Sequence, residues 1–444
     1  MLARTRLLTL ASALVALATS ANAQNWPNQR GPHFDGRGTK GQSLPAKISK
    51  DENVKWAAPL PGPSAGTPVI WDDKVFLTAA IEESKTLVAL CLDRQSGDTL
   101  WSKEVAEGFK IDDRSNLANP SPTADAERVI FFFGTGDMAA FDHDGNPLWN
   151  FNLLGDDPEH YFAFQWTFSS SPLLYDGKLY MQVLQRDQSF VQNDLQRGKP
   201  GANDNESYLA AYDPATGDQL FKVSRSSDAV AESNEAFSMP IPVTLADEST
   251  QILVAGGDDL TGHDPQSGEE LWRWGTYNPQ RIGHWRLVPS PVAGEGVALV
   301  CGPKREPIYA IDLESHKVAW KSDDQDLSSD VSIPLFYQGH FYVINSDRRS
   351  LACLDPKSGK KLWGERLDAK AKIEASPSAA DGKIYFIDHR GGTMVVAANP
   401  EKFELLSQSD LSSGENDNEI RSSVSLAGGN VFVRTNDTLF CFGN

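Results

Sequence analysis

The sequence predicts an all-β fold, in which eight four-stranded antiparallel repeats close into a β-propeller. First, a tail motif of Asp, a short turn and a large aromatic residue recurs at Asp93–Trp101, Asp142–Trp149, Asp213–Phe221, Asp264–Trp272, Asp312–Trp320 and Asp355–Trp363. Second, a head motif recurs at Thr67-Pro68, Ser121-Pro122, Ser171-Pro172, Met239-Pro240, Ser290-Pro291, Ile333-Pro334 and Ser376-Pro377, with a final Ser422-Ser423-Val424 that lacks the proline. Third, 35 Gly and 26 Pro provide the turns that many short strands require.

Each tail motif can form a tight hairpin turn. In the form Asp-Pro-x-x-Gly, the Asp side chain caps the turn, Pro fixes φ, and Gly is free to take a positive φ. The flanking segments, such as 178–183 (KLYMQV) and 383–387 (KIYFI), are β-branched and aromatic with partial alternation, as strands are. One four-stranded unit cannot bury both faces, so the units must stack, and radial stacking leaves only short edges.

Counting the heads gives eight units, and the eighth stops after its third strand. The units span 66–105, 119–153, 169–224, 237–276, 287–322, 331–367, 374–411 and 420–443. Residues 52–60 precede the first head and carry an extra Trp, so we infer that they supply the outer strand of the last blade and close the ring. The large outer-strand side chains expected to pack against the next blade are Trp56, Trp101, Trp149, Phe221, Trp272, Trp320 and Trp363, whereas the seventh blade offers only Leu405 or Leu406. An extended two-sheet solenoid is the alternative, but it would leave edges open at both ends.

The first 23 residues have the three regions of a secretory signal peptide in order. Arg4 and Arg6 precede the apolar run 7–18 (LLTLASALVALA), and Ala21-Asn22-Ala23 forms the cleavage site. The apolar run is too short to span a bilayer, and a buried N-terminal helix is the alternative. No Cys lies near the cleavage site, which argues against a lipid anchor. We therefore expect a periplasmic or secreted protein with a signal peptide at 1–23, an N-terminal arm at 24–51 and a single propeller domain at 52–444.

The charge balance restricts the classes of partner. With 41 basic and 60 acidic side chains, the formal charge is −19. This net acidity argues against wrapping nucleic acid or lying on an anionic membrane, because both need clustered positive charge. No later segment offers 18 continuous apolar residues, so we expect no transmembrane segment. Four Cys in 444 residues do not make a disulfide scaffold. We expect a monomer.

The Asp-x-x-(Ser/Thr)-Gly-x-x-Leu-Trp tail resembles the pyrroloquinoline-quinone (PQQ)-type propeller repeat over about 390 residues. It differs from the WD40 repeat, whose Trp-Asp pair ends the third strand. The resemblance implies two branches, the quinoprotein alcohol and glucose dehydrogenases and a non-enzymatic group typified by BamB of the outer-membrane assembly machinery. The opening 26–32 (WPNQRGP) also resembles the start of exported bacterial propellers of unassigned role. The fold alone does not decide between the branches.

The enzyme branch implies specific residues that can be sought in the sequence. Its alcohol dehydrogenases hold the quinone between a Trp and a disulfide of adjacent Cys, bind Ca²⁺ with Glu, Asn and Asp, and use an Asp as base. Here Cys91, Cys301, Cys353 and Cys441 are far apart, although some quinone-dependent sugar dehydrogenases lack the disulfide. The eight His have no metal-ligand spacing, and Asp142-His143-Asp144 is a turn rather than a calcium loop. We predict no catalytic residue, no metal ligand and no cofactor, with PQQ and Ca²⁺ required only by the dehydrogenase alternative.

Most of the unusual polar residues are expected on one face of the ring. In this type of blade, the loops between blades and the loops between second and third strands open on the same face. The candidate binding residues on these loops are Arg114, Trp166, Glu235, Trp285, Arg286, Lys304, Arg305, Asp330 and Arg421. A local concentration of cations on an acidic protein could hold an anionic small molecule, an acidic glycan or the carboxylates of a protein partner.

Two readings of this face remain open. The cations could bind a ligand, or they could pair with Asp112, Glu235, Asp330 and Glu374 and simply hold the loops. Likewise, the insertion at 185–207 could be a solvated loop or a recognition lid. The sequence favours a non-catalytic binding or scaffold propeller of the cell envelope, and the alternative is a PQQ- and Ca²⁺-dependent dehydrogenase of small alcohols or sugars. A glycan-cleaving enzyme is a weaker alternative, because no paired carboxylates can be placed.

Overall fold

The predicted eight-bladed all-β propeller is confirmed. The computed structural model describes residues 24–155, 161–412 and 419–444, so the predicted signal peptide lies outside the described residues. Eight four-stranded antiparallel sheets are present there, and the described helical structure is one short 3-10 helix, Ala231–Asn234. None of the helices in this part of the chain has the length and hydropathy needed to cross a membrane.

The first four blades follow one another along the chain, each running from an inner to an outer strand. Blade 1 contains β2 (Val69–Trp71), β3 (Lys74–Ile81), β4 (Thr86–Asp93) and β5 (Thr99–Glu107), and blade 2 contains β6 (Thr123–Ala124), β7 (Val129–Phe132), β8 (Asp137–Phe141) and β9 (Pro147–Asn152). Blade 3 contains β10 (Leu173–Tyr175), β11 (Lys178–Val183), β14 (Tyr208–Tyr212) and β15 (Gln219–Ser224), with a separate hairpin of β12 (Phe190–Gln192) and β13 (Leu195–Arg197) inserted after β11. Blade 4 contains β16 (Ile241–Thr244), β17 (Thr250–Gly256), β18 (Asp259–His263) and β19 (Glu270–Gly275).

The last four blades repeat this order until the ring closes. Blade 5 contains β20 (Val292–Gly294), β21 (Val297–Cys301), β22 (Ile308–Asp312) and β23 (Val318–Ser322), and blade 6 contains β24 (Leu335–Tyr337), β25 (His340–Asn345), β26 (Ser350–Leu354) and β27 (Lys361–Arg366). Blade 7 contains β28 (Ser378–Ala380), β29 (Lys383–Ile387), β30 (Gly392–Ala397) and β31 (Leu405–Asp410). Blade 8 combines β32 (Ser425–Ala427), β33 (Asn430–Arg434) and β34 (Thr438–Gly443) with β1 (Val54–Pro59) from the start of the chain.

The last blade is completed by strand pairing between distant parts of the chain. Strand β1 pairs antiparallel with β34, and Trp56 lies opposite Cys441 in the register. The inner strands β32 and β2 of blades 8 and 1 then lie side by side. The second and third strands of each blade are covered by other strands and are almost wholly buried, whereas the outer strands alternate between exposed and half-buried residues. This burial explains why the second and third strands are nearly continuous apolar runs in the sequence.

Adjacent blades are joined by an indole-on-turn contact. Trp149 on the outer strand of blade 2 donates its Nε1–H to the carbonyl of Pro214 in the next blade at 2.9 Å, and its ring packs against Gly217 of the same turn. The equivalent Nε1–H hydrogen bonds join Trp56 to Arg94, Trp101 to His143, Trp320 to Pro356 and Trp363 to Asn399. A glycine at the turn leaves room for the ring, and its φ of 79° at Gly217 is one that glycine adopts without strain.

Three blade junctions depart from this pattern. At the first, Phe221 of blade 3 packs its ring against Gly268 of blade 4 but has no N–H to donate. In the blade 5 turn, His316 replaces the glycine with φ of 57°, and Trp272 stacks on its imidazole at 4.5 Å. The Nε1–H of Trp272 is instead bound by Gln251 within its own blade. Blade 8 has no turn between its third and fourth strands, because β34 and β1 are far apart in sequence. There the Ser407 hydroxyl on β31 donates to the carbonyl of Ala46 in the N-terminal arm at 2.6 Å.

The N-terminal arm crosses the channel beneath the inner strands. Trp26 is fully buried and exchanges two backbone hydrogen bonds with Ile70 of blade 1, both of 2.9 Å. The guanidinium of Arg30, also fully buried, donates to the carbonyls of Pro334, Pro377 and Asp35, each at 3.1 Å. The arm therefore ties blade 1 to blades 6 and 7 on the side of the ring opposite the long loops.

We expect Gly217→Ala to destabilise the protein more than Gly177→Ala. Both glycines belong to blade 3 and have similar positive φ, 79° and 69°, so both variants carry the strain of a left-handed alanine, about 1 kcal/mol. Only at 217 would the new Cβ meet an indole, 2.9 Å from Cδ2 of Trp149, whereas the space around 177 is open to 4 Å. Overpacking should add about 2 kcal/mol, measured by urea unfolding. Equal losses in the two variants would show that the blade contact does not contribute.

Candidate ligand-binding site at the loop face

A cavity of about 550 Å³ opens at the centre of the face that carries the long loops, and we call it the mouth cavity. Its ionisable lining residues are Arg114, Glu232, His284, Arg286, Lys304, Arg305, Asp330, Asp347, Lys372 and Glu374. A smaller space of about 180 Å³ continues inward, where Arg421 joins the lining and Gln29 of the arm forms part of it. The five cations and four carboxylates make this cavity slightly basic on a chain of formal charge −19.

Most of the candidate residues do line this space. Arg114, Trp166, Arg286, Lys304, Arg305 and Asp330 surround the mouth cavity, and Arg421 lies in its inner part. Glu235 and Trp285 do not line it. The Glu235 side chain is wholly buried and its Oε1 lies 2.5 Å from Arg186 Nε, while Trp285 is 7% exposed. Both come from inter-blade loops, so their sequence position predicted the correct face but not the direction of the side chain.

Several cations of the mouth cavity are already engaged by carboxylates. Arg421 Nε donates to Glu374 at 2.7 Å, and Arg286 Nη1 lies 3.4 Å from Glu232. The Trp166 indole donates to the same Glu232 oxygen at 3.2 Å. These contacts hold neighbouring inter-blade loops together. For Glu374, this is the arrangement expected if the cations hold the loops rather than bind a ligand.

Two exposed cations are not engaged in this way. The Arg114 guanidinium lies 5.5 Å from the ring centroid of Trp166, and within the described ranges it makes no ion pair. Lys304 donates only its backbone N–H to Asp330, at 3.0 Å, and its ammonium has no ion-pair partner among the described residues. A cation–π contact orients Arg114 without neutralising its charge. Arg114 and Lys304 are therefore the groups with charge left to offer a ligand.

Three charged residues that line the mouth cavity were not among the candidates: Glu232, Asp347 and Lys372. Lys372 Nζ lies 2.7 Å from Asp347 Oδ1, and Arg305 approaches the same carboxylate at 3.8 Å. Lys372 belongs to the loop between blades 6 and 7, and Asp347 to the loop between the second and third strands of blade 6. Both segments obey the rule that selected the other candidates, so applying it to every blade would have found them.

The buried carboxylates beneath the cavity hold the loops in place through hydrogen bonds and an ion pair. Asp112 accepts hydrogen bonds from the backbone N–H groups of Ser115 and Thr167, at 3.0 and 2.6 Å, rather than pairing with a cation. Burial raises the pKa of Glu235 to about 8, despite the opposing effect of Arg186. Since Arg186 belongs to the insertion at 185–207 and Glu235 to the loop before blade 4, this pair fastens the insertion to the propeller. The insertion carries the β12–β13 hairpin and is fastened at Arg186, while many of its residues are exposed.

A family model described as outer membrane protein assembly factor BamB matches the chain over residues 46–232, 161–324 and 256–444. The chain belongs to this family. The three matches overlap and reach every blade, so the PQQ-type repeat accounts for the whole propeller. No curated protein matches the sequence significantly.

Solved structures of similar fold include BamB, a methanol dehydrogenase and a quinohemoprotein alcohol dehydrogenase. BamB from Moraxella catarrhalis is 12% identical, with a TM-score of 0.56 over 88% of this chain and 99% of that one. A europium-containing methanol dehydrogenase is 10% identical, with a TM-score of 0.67 over 95% and 98% of the two chains. The quinohemoprotein alcohol dehydrogenase from Comamonas testosteroni is 12% identical, with a TM-score of 0.67 over 96% and 82%. At these identities the similarity shows the fold alone.

The mouth cavity of this BamB-family chain does not fit a Ca²⁺–quinone centre of the alcohol dehydrogenase kind. Its four Cys are free, buried thiols on four different blades, so none of them offers a disulfide to a quinone ring. Glu374 and Glu232 are bound by arginines, and across the described ranges no three His, Cys, Asp or Glu side chains come together as metal ligands. The donor set therefore suits an anion better than a hard cation.

We expect the stabilising effect of Glu374 to disappear in acid. Burial alone would raise its pKa, but hydrogen bonding with His389 and the charge of Arg421 lower the pKa to about 2. Because this folded-state pKa lies below the unfolded value of about 4.3, the carboxylate stabilises the fold above that pH. Glu374→Gln should cost about 2 kcal/mol at pH 7, and the difference from the wild type should shrink as the pH falls from about 4.5 towards 2.

Unfolding by urea at several pH values measures this difference. The matched control is Glu314→Gln, which removes an exposed carboxylate on the opposite face and should change stability little at any pH. A Glu374→Gln difference that stays constant down to pH 2 would contradict the assignment.

Proposed function

We propose that the protein is a non-catalytic binding or scaffold propeller of the cell envelope. Its mouth cavity recognises carboxylates of a protein partner, or a small anionic molecule or glycan of the same chemistry. The observation that carries this proposal is the presence of two exposed cations, Arg114 and Lys304, that line one cavity and have no ion-pair partner among the described residues. The dehydrogenase of small alcohols or sugars is the competing function.

The electrostatics of the loop face favour an anionic ligand. A concave site with low-dielectric walls focuses the field of the charges that line it, so a few unpaired cations act more strongly there than on a convex surface. Glu374 and Glu232 are held by Arg421 and Arg286, which keeps these carboxylates in place and away from the free cations. Trp166 adds a flat apolar surface beside Arg114. Together these groups can position a planar carboxylate.

The family description favours a protein as the partner and the envelope as the location. The matching model is described as an outer membrane assembly factor, and its matches span the propeller. A propeller face offers many loops around one cavity, which suits contact with another folded protein at the rim and with its acidic side chains at the centre. We propose a periplasmic or secreted location, consistent with the signal peptide predicted at residues 1–23.

Reconstitution with PQQ and Ca²⁺ discriminates between the two functions. We expect no reduction of an electron-accepting dye when ethanol, methanol or glucose is added, because Glu374 and Glu232 are bound by arginines and Asp347 is bound by Lys372, which leaves few free carboxylate oxygens for Ca²⁺. A reconstituted known quinoprotein dehydrogenase serves as the positive control for the assay. Substrate-dependent dye reduction by the wild type would favour the dehydrogenase and refute the scaffold proposal.

Removal of the two free cations should weaken anion binding without unfolding the protein. We expect Arg114→Gln with Lys304→Gln to weaken binding of a fluorescent hexaglutamate peptide by at least about tenfold, since charge-assisted hydrogen bonds are lost. Fluorescence anisotropy at low and at physiological salt measures the affinity. The matched control, Lys317→Gln with Lys360→Gln, removes two exposed lysines from the turns on the opposite face and should bind like the wild type.

The same three proteins test the link to an envelope partner. Immobilised wild type and control should retain the same solubilised envelope protein, and the mouth variant should lose it. Equal loss of peptide binding in the two double variants would mean that net charge, rather than this cavity, drives association. Unchanged binding in the mouth variant would place the site elsewhere.

A further inference from the structure

A second pocket lies beside the mouth cavity and differs from it in chemistry. We call it the aromatic pocket, and its volume is about 370 Å³. It lies between the loops that follow blades 1 and 2 and the β12–β13 hairpin, and it is lined by Leu117, Phe162, Phe164, Phe168, Leu195 and Arg197 among others. Phe164 and Phe168 stack with their centroids 4.6 Å apart. This lining suits a flat apolar group rather than a hydrated one.

Three charged side chains interrupt the apolar lining: the exposed Glu107, Asp137 and the buried Arg197. Arg197 is only 2% exposed, and its Nη2 donates to the carbonyl of Ile111 at 3.1 Å. Its Nε is buried and has no hydrogen-bond partner within the described ranges. Buried polar groups in folded proteins are almost always hydrogen-bonded, and a guanidinium with an unused donor is costly to leave so. Arg197 therefore lines the pocket and has one N–H that lacks an acceptor within the described ranges.

The neighbouring carboxylates do not supply that acceptor. Asp137 accepts from the Thr135 hydroxyl at 2.5 Å and from Asn152 at 3.2 Å. Asp112 and Glu235 attract Arg197 through space, but their own hydrogen bonds are with other groups, including Thr167 and Arg186. Arg197 makes no ion pair within the described parts of the chain.

We propose that the aromatic pocket binds a small molecule with a flat apolar body and one carboxylate, which receives the free N–H of Arg197. The Phe cluster packs on the apolar body, and the guanidinium fixes its orientation. The volume matches a compact ligand of one or two fused rings. The hydrophilic anions proposed for the mouth cavity would leave these phenyl groups unfilled, so the two sites differ in selectivity. Because the proposal does not rest on the function of the mouth cavity, it can be tested separately.

Isothermal titration of two matched probes tests the proposal. Naphthalene-2-carboxylate should bind the wild type at one site and at least about tenfold more tightly than neutral 2-naphthamide, because only the former gives Arg197 a charged acceptor. Arg197→Met should remove this preference, whereas Arg197→Lys should keep part of it. Circular dichroism and urea unfolding establish that each variant is folded. Naphthalene-2-carboxylate that fails to saturate the wild type, or that binds no better than the amide, would overturn the proposal.

A second pair of variants avoids any change at the buried arginine. Leu195 lines the pocket and is 39% exposed, so Leu195→Glu should fold and should weaken binding of naphthalene-2-carboxylate by repelling it and competing for Arg197. The matched control is Leu220→Glu, which replaces a 49% exposed leucine on the outer strand of blade 3. The double variant Arg114→Gln with Lys304→Gln should retain naphthalene-2-carboxylate binding. Equal affinity in Leu195→Glu and Leu220→Glu would overturn the assignment of the site.

Discussion

The indole-on-turn contact between adjacent blades is the interaction on which the rest of the structure depends. A twisted four-stranded sheet has two apolar faces and cannot bury both by itself, so each blade needs a neighbour on either side. The indole packs against the glycine of the turn in the next blade, and its single N–H donates a hydrogen bond to a carbonyl of that turn. Trp56 makes the same contact with Arg94 across the seam of the ring. The closure therefore uses the same indole hydrogen bond as four of the other junctions.

The repeat carried most of the fold information, because the contact needs a large aromatic residue and a glycine at fixed positions. The exceptions have local causes. His316 takes the place of the glycine, so Trp272 stacks on an imidazole and redirects its N–H. Blade 7 has leucines where the aromatic residue is expected, and blade 8 has no turn against which an aromatic residue could pack. The path of the arm could not be predicted, since Arg30 binds carbonyls of residues 304 and 347 positions away.

The site was less predictable than the fold, because loop position determines the face but not the direction of a side chain. Glu235 and Trp285 come from the correct loops and point inward, whereas Lys372 and Asp347 follow the same rule and line the mouth cavity. The aromatic pocket depends on where the β12–β13 hairpin packs. Nothing in the local sequence around Arg197 indicates that its side chain is buried and lines the same pocket as the phenylalanines of the loop that follows blade 2.

The pairing of β1 with β34 has a consequence for how the molecule reaches its final state. Trp56 and Cys441 are opposite one another in the register although they stand 385 positions apart, so the earliest strand to be made must wait for one of the last. Until then, blade 1 presents an uncovered flank and β1 an unsatisfied backbone edge, both of which invite wrong associations. A polypeptide that lacks its last strand therefore cannot close the ring, because β1 then has no strand to pair with.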